Sequence, residues 1–302
     1  MSIEVELLRV GMPPSLMGLR WAVDMDFARD WLQARVSAMQ PDEMAARPPL
    51  TPAVSRGVAV IPVRGVLTQR AGMCSLGCED ISFALHQAMA DPNVGGVLLS
   101  IDSPGGSTFG VDELAAEVMA MRSTKPIWAH ANSRMDSAAY WLGSAANQIS
   151  VTPGGEVGSI GVYMVHQAEE GTNVNIISAG KYKVEVHPYA PLSDEARASL
   201  QARVDHDYGR FVARVAAGRG VPESTVRDGY GEGRALPATR ALEEGMVDRI
   251  ETHGEALARL AATVATGAPA TGVARAEDNE EMAALRARAL EYELQRIELE
   301  TL

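Results

Sequence analysis

The sequence predicts an α/β protein with a mostly parallel sheet covered by helices, and three observations carry that reading. From Gly57 onward, short apolar runs alternate with amphipathic segments, which is the rhythm of successive βαβ units. An apolar run from Val97 to Ser100 closes in Ile101-Asp102-Ser103-Pro104-Gly105-Gly106-Ser107, a strand ending in residues that leave backbone N–H groups uncovered. Further on, Met135-Asp136-Ser137-Ala138-Ala139-Tyr140 leads into helix-like sequence, so a serine flanked by small residues stands at a helix start.

Taken in order, residues Asp24 to Met39 place Phe27, Trp31, Leu32 and Val36 at helical spacing, and Pro41, Pro48, Pro49 and Pro52 follow. This predicts an N-terminal arm made of a helix and a proline-rich connector. Strands are expected at Val58 to Val63, Val94 to Ile101 and Pro126 to Ala131, with helices at Glu79 to Ala90 and Val111 to Arg122. After the serine segment, Gln148 to Val151, Ser159 to Val165 and Val174 to Ser178 read as short strands. A long helix is expected from Ser193 to Ala217, with Ser193 as N-cap, Asp194 and Glu195 in its first turn and Gly218 as its stop. A small helix follows from Pro237 to Gly245. From about Gly254 the chain turns Ala-, Thr- and Gly-rich, and Gly267, Pro269 and Gly272 mark a linker. Beyond Glu277 lies a charged helix with an incomplete apolar stripe at Leu285, Ala289, Tyr292 and Leu299. The expected division is an arm over 1–56, a catalytic-type domain over 57–253, a linker over 254–276 and a helical tail over 277–302.

A chain of 302 residues with 46% hydrophobic content and 22% charge holds one large core. Its net charge of −12 disfavours nucleic acid as a partner. No run is long and apolar enough to cross a bilayer, and Glu4 and Glu6 break the order of a signal peptide, so a cytoplasmic protein with no membrane partner is expected. Cys74 and Cys78 have no nearby ligand pair, so they are read as reduced thiols and no metal site or cofactor is expected. The methionines are scattered as core filling, and Asp205 with Asp207 reads as a solvated helix face.

The chemistry suggested by the two leading segments is acyl transfer, with the Gly105-Gly106 backbone holding an oxyanion and Ser137 attacking. A serine needs a base. Neither His130 nor His166 carries an Asp-bearing motif to orient it as a triad requires. Lys183, in Gly180-Lys181-Tyr182-Lys183-Val184-Glu185-Val186-His187-Pro188, can serve if buried. On a strand Lys181 would share its face, and spacing alone does not separate the two lysines.

In order and spacing, Ile101-Asp102-Ser103-Pro104-Gly105-Gly106, Ser137-Ala138-Ala139-Tyr140, Gly158-Ser159-Ile160-Gly161-Val162 and Tyr182-Lys183 ahead of Pro188 resemble the signal peptide peptidase A family of serine peptidases. The likeness runs on through Asp228-Gly229, Arg234 and Ala241-Leu242-Glu243-Glu244-Gly245-Met246-Val247-Asp248, covering about residues 57 to 252. It implies an α/β Clp protease/crotonase-like spiral of βαβ units, here with an N-terminal helical arm and a C-terminal helical tail. It also implies a Ser-Lys dyad of Ser137 and Lys183, an oxyanion hole from Gly105 or Gly106 together with Ala138, and a supporting role for Ser159. One departure stands out: the family usually has Gly-Gly after the serine, where this chain has Ala138-Ala139, so the φ > 0 freedom of glycine is lost there. The arm with Trp21 and Trp31, the run Gly57 to Leu67 and the tail resemble the bacteriophage capsid assembly, or head maturation, branch. That branch implies scaffold or capsid proteins as substrates, a homo-oligomer, and work in the host cytoplasm or inside an assembling shell. The competing readings are a soluble signal-peptide-clearing protease with the same dyad and a catalytically idle scaffold protein.

Overall fold

The structure is a computed structural model that describes residues 21–23 (backbone), 50–72, 75–168 and 174–267. Its centre is a sheet whose main path runs β11-β10-β8-β6-β3-β2. These strands are β2 (Ala53–Ser55), β3 (Val58–Arg64), β6 (Gly96–Ser103), β8 (Ile127–Asp136), β10 (Glu156–Gly158) and β11 (Ala235–Pro237). The inner pairs β3/β6, β6/β8 and β8/β10 are parallel, and β2 and β11 close the two ends antiparallel. The long β8 divides its outer edge: Trp128–Ala131 pairs with β9 (Gln148–Val151), while Arg134–Asp136 pairs with β10. β9 in turn carries β12 (Arg249–Ile250).

Strands buried on both faces read as continuous apolar runs, and β6 shows this. Val97, Leu99 and Ile101 join the main core, while Leu98 faces the other way into a second cluster with Val58 and Trp128. The main core is closed by α1 (Cys78–Ala90), α2 (Val111–Met121), α3 (Ala138–Gly143) and the inner half of α4 (Asp194–Arg219). Short helices α5 (Glu223–Asp228) and α6 (Ala238–Glu243) follow. The second cluster is closed by α7 (His253–Thr266), whose Leu260 and Ala261 pack on Leu98 and Trp128. A smaller sheet, ordered β1-β7-β4-β5, lies beside the main one, with β1 (Trp21–Val23), β4 (Val66–Thr68), β5 (Ser75–Gly77) and β7 (Gly105–Ser107).

The expected βαβ rhythm holds through β3, α1, β6, α2 and β9, each within a few residues of its predicted limits, while β8 runs on past its expected end at Ala131 to Asp136. Ser193 caps α4 as expected, its side chain accepting from the Ala196 N–H. Four expectations need correction. Ser159 to Val165 and Val174 to Ser178 form no strand element; Val174, Ile176 and Ile177 are solvent-exposed, so no facing sheet rewards their β-propensity. Gly218 does not stop α4: the helix runs to Arg219 and ends at Gly220 in the left-handed conformation. Gly218 answers a close approach instead, since a Cβ there would lie 2.1 Å from the Ser144 carbonyl oxygen. Asp207 is buried and accepts a hydrogen bond from Thr108 at 2.9 Å, whereas Asp205 faces solvent.

The fourth correction is the domain limit at 253. Residues 254–266, expected as linker, belong to α7, which begins with a capping box between Thr252 and Glu255 and ends at Gly267. In the arm, residues 21–23 form a strand ahead of the segment expected as helix. The helix expected over 24–39, Cys74, the remainder of the linker from 268 to 276 and the tail over 277–302 lie outside the described residues. Cys78 is a free, buried thiol pushed up to about 12, chiefly by burial and then by Glu113.

Candidate active site

Ser137 stands where β8 ends and α3 begins, and its backbone is the local signature of the site. It adopts φ 54° and ψ −120°, a conformation that side-chain-bearing residues rarely take. Holding such a residue costs on the order of 1–3 kcal/mol and needs support from its surroundings. That support is visible. The Ser137 N–H donates to the Gly158 carbonyl at 2.6 Å, and its own carbonyl accepts from the Trp141 N–H at 2.9 Å. α3 is buried along its whole length, with the Tyr140 hydroxyl donating to the Met246 carbonyl at 2.8 Å and Trp141 stacked on Phe211 at 4.6 Å. Ser137 itself is buried.

Beside α3 runs β7, the strand of Gly105 and Gly106. Gly105 has φ 95°, which a side chain would strain, and a Cβ on Gly106 would lie 1.9 Å from the Leu67 carbonyl oxygen, so a larger residue there would displace β4. Ser103 fixes the bend into this strand: its hydroxyl donates to the Gly65 carbonyl at 2.7 Å and accepts from the Gly105 N–H at 3.2 Å. The Gly105 N–H is thus engaged within the chain. Thr108, just past β7, is tied to Asp207 of α4, and Asp112 of α2 is gripped by Arg210 and Arg214 of the same helix, each at 2.8 Å. Those two guanidiniums hold the Asp112 carboxyl below its usual range against the opposing effect of burial.

Ala138 and Ala139 are both inside α3, so they need no φ > 0 and the departure from Gly-Gly is neutral for the backbone. Ser159 also has positive φ, at 52°, and its N–H donates to the Arg234 carbonyl at 2.9 Å. Because Gly158 is in register with Asp136, Ser159 lies next to the Ser137 turn. Arg134 and Asp136 of β8 form an ion pair at 3.3 Å immediately before the serine, and Arg134 also pairs with Glu156. Ser103, Arg134 and Thr108 were not singled out by the sequence, because their roles depend on partners distant in the chain. The flank Asp102-Ser103 was the available signal.

Lys183 is placed differently. It lies exposed in a run of turns over 181–186, and among the described residues its side chain makes no hydrogen bond to Ser137. The strand-face argument for the two lysines lapses with the strand. Lys181 is engaged with Tyr182 and Glu195, leaving Lys183 as the lysine with no such ties. His130 is buried against Ser150 at 2.9 Å and His253, away from the serine turn, and His166 bonds the His187 carbonyl. Among the described residues no cluster fit to hold a metal is present, and no helix is long and apolar enough to cross a membrane.

Within the motif from Ala241 to Asp248, Ala241, Met246 and Val247 are buried, and Gly245 and Asp248 tie neighbouring elements together. Arg219 binds Asp248 at 2.7 Å and the Gly245 carbonyl at 3.0 Å, while Asp248 also accepts from the Ile149 N–H. This clamp joins α4, β9 and the floor beneath α3.

Residues 119–266 match Peptidase family S49. Over 233 residues the chain is 34% identical to the Capsid assembly protease C of Escherichia phage lambda, covering 73% of this chain and 52% of that protein. It is also 34% identical over 226 residues to the Head-tail preconnector protein GP5 of Enterobacteria phage P21, covering 71% and 45%. The chain therefore spans about half the length of these curated relatives. Among solved structures it resembles the 1510-N membrane-bound stomatin-specific protease in complex with a substrate peptide, at 15% identity and TM-score 0.44 over 67% of this chain and 78% of that one. ClpP1 from Listeria monocytogenes is similar at TM-score 0.43 and 15% identity, over 66% and 94%. With the strained serine turn and the Asp248 clamp inside residues 119–266 and 34% identity to a relative over 73% of its length, the chain belongs to Peptidase family S49.

Proposed function

We propose that this chain is a serine endopeptidase with a Ser137-Lys183 dyad, serving as a phage or prophage capsid assembly protease. The observation that carries the peptidase reading is the strained Ser137 turn set beside the Gly105-Gly106 strand. In this reading the neutral amine of Lys183 takes the Ser137 hydroxyl proton as Oγ attacks the peptide carbonyl. The N–H groups of Gly106 and Ala138 receive the oxyanion, and the ammonium returns its proton to the departing amine. Water then releases the acyl group by the reverse sequence, with Ser159 supporting the lysine.

The exposed position of Lys183 favours completion of the dyad between copies of the chain. Its segment also exposes Val174, Ile176, Tyr182 and Tyr189, and Ile177 is 99% exposed, so the surface around the base is apolar and uncovered in a single chain. A homo-oligomer would bury that surface and bring Lys183 to a neighbour's Ser137. Scaffold or capsid proteins as substrates rest on the likeness to the lambda and P21 proteins. The test is to co-express the chain with the shell and scaffold proteins of its own gene cluster and to map cleavage by mass spectrometry. Cuts present with the wild type and absent with Ser137→Ala are expected. Cleavage of casein but of none of the shell proteins would overturn the substrate assignment while keeping the peptidase one.

A further inference from the structure

The arm contributes three residues to the site region: Trp21, Ala22 and Val23 of β1 pair antiparallel with Ser107, Gly106 and Gly105 of β7. On its other side β7 is taken by β4, where Leu67 is in register with Gly106. The small sheet is therefore ordered with β1 at its outer edge, capping the strand that carries the oxyanion glycines.

A peptide attacked by Ser137 must place its carbonyl oxygen about 3 Å from the oxyanion donors. If Gly106 is one of them, the peptide backbone on either side of that carbonyl has to run along β7. Extended peptides bind sheet edges in this way, the main chain supplying the ladder and side-chain pockets the selectivity. Since β4 occupies one edge, the edge left for a substrate is the one that β1 fills.

We propose that β1 is a built-in pseudosubstrate: residues 21–23 hold the substrate's place on the β7 edge, and the arm must leave that edge before a peptide can be cut. This inference rests on the reading of Gly106 as an oxyanion donor. Three paired residues make a short strand, which suits displacement. The arm also protects an otherwise open sheet edge from pairing with other chains until a substrate arrives.

The test is Ala22→Pro in the full chain, because proline has no N–H to donate and resists a ladder position. Two quantities are compared with wild type: amide hydrogen exchange across residues 103–109, and cleavage of an unstructured reporter peptide. The expected result is at least tenfold faster exchange and at least a fivefold rise in kcat/KM through a lower KM, with kcat little changed. A synthetic peptide of residues 17–27 should then inhibit the variant competitively. Unchanged exchange would overturn the proposal by showing that β1 does not cover β7 in solution. Faster exchange with unchanged kcat/KM would also overturn it, while leaving the peptidase reading intact wherever Ser137→Ala abolishes cleavage. Faster exchange with no Ser137-dependent cleavage in either protein would overturn both.

Discussion

The two halves of the proposed dyad sit in opposite kinds of structure. Ser137 stands in a buried turn held by Gly158, Trp141 and a fully buried helix, next to a glycine strand bolted to α4 through Thr108 and Asp207. Lys183 lies in exposed turns that bury little and expose Ile177 and Tyr182. The difference teaches where pre-organisation resides. The electrophile-binding half is built by the fold of one chain, where strain at Ser137 is sustained by dense packing. Among the described residues the base half carries no comparable support, which is why we propose that a neighbouring copy orders it.

The sharpest way to break this comparison is to remove each half in turn. Ser137→Ala should lower kcat/KM on a reporter peptide by at least about a thousandfold with the thermal midpoint nearly unchanged or raised, since the alanine fits and only the attacking oxygen is lost. Lys183→Ala should match that loss and Lys181→Ala should stay within about tenfold of wild type. Mixing the two inactive variants should restore part of the activity if the base comes from a neighbouring copy. Equal damage from the two lysine changes, or no restoration on mixing alongside a fully active monomer in sedimentation, would count against the division.

The next effect in size concerns the end of the domain. A chain ending at 253 lacks α7 and uncovers Val58, Leu98 and Trp128, whereas one ending at 267 keeps them covered. Leu260→Ala removes the centre of that cluster from a fully buried site, and such changes cost about 2–5 kcal/mol. The 253 truncation should be insoluble or melt far below wild type, and the 267 truncation should melt with it. Equal midpoints for the two would show that α7 is not part of the domain.

The smallest effect is a pH dependence under the same helix. His130 is pulled down to about 4, first by burial and then by the neighbouring His253, against Glu251. A folded value below the unfolded one means that the unfolded chain binds the proton more readily. His130 is therefore neutral with no penalty above about pH 6.5, and stability is lost as pH falls from there toward 4. The loss should be on the order of 2 kcal/mol. Urea midpoints measured between pH 7.5 and 4.5 should fall less steeply for His130→Gln than for wild type, and parallel slopes would refute the assignment.

What could be read from the sequence follows the same boundary between dense and sparse packing. β3 and β6 announced themselves as continuous apolar runs, and α1 and α2 by apolar residues repeating at the helical period. The strand-to-helix turn at Ser137 and the Gly105-Gly106 strand were legible from small residues at positions where only small residues fit. Ser159 to Val165 and Val174 to Ser178 misled: Val174, Ile176 and Ile177 suggest a strand but meet no facing sheet, while Ile160 packs into the main core without forming one. The linker over 254–266 was an avoidable error: Leu257, Leu260, Ala261 and Val264 recur at helical spacing, and Thr252 with Glu255 forms a capping box. Composition outweighed periodicity in that reading. Asp207 could not be placed from its neighbours, because its partner Thr108 lies far off in the chain.

Gly218 gives α4 a character that its length alone does not. The helix touches the Ser144 carbonyl at Gly218, grips Asp112 with Arg210 and Arg214, and holds Thr108 with Asp207. It is in effect a yoke across the site, with its pivot at Gly218 and its load on the glycine strand. A single added methyl at the pivot has no room, so the helix must swing, and the swing is felt first by the Gly105-Gly106 strand. A Gly218→Ala chain should fold at low temperature and lose the placement of that strand on warming, which makes this position, remote from the serine in sequence, a natural seat for conditional mutants.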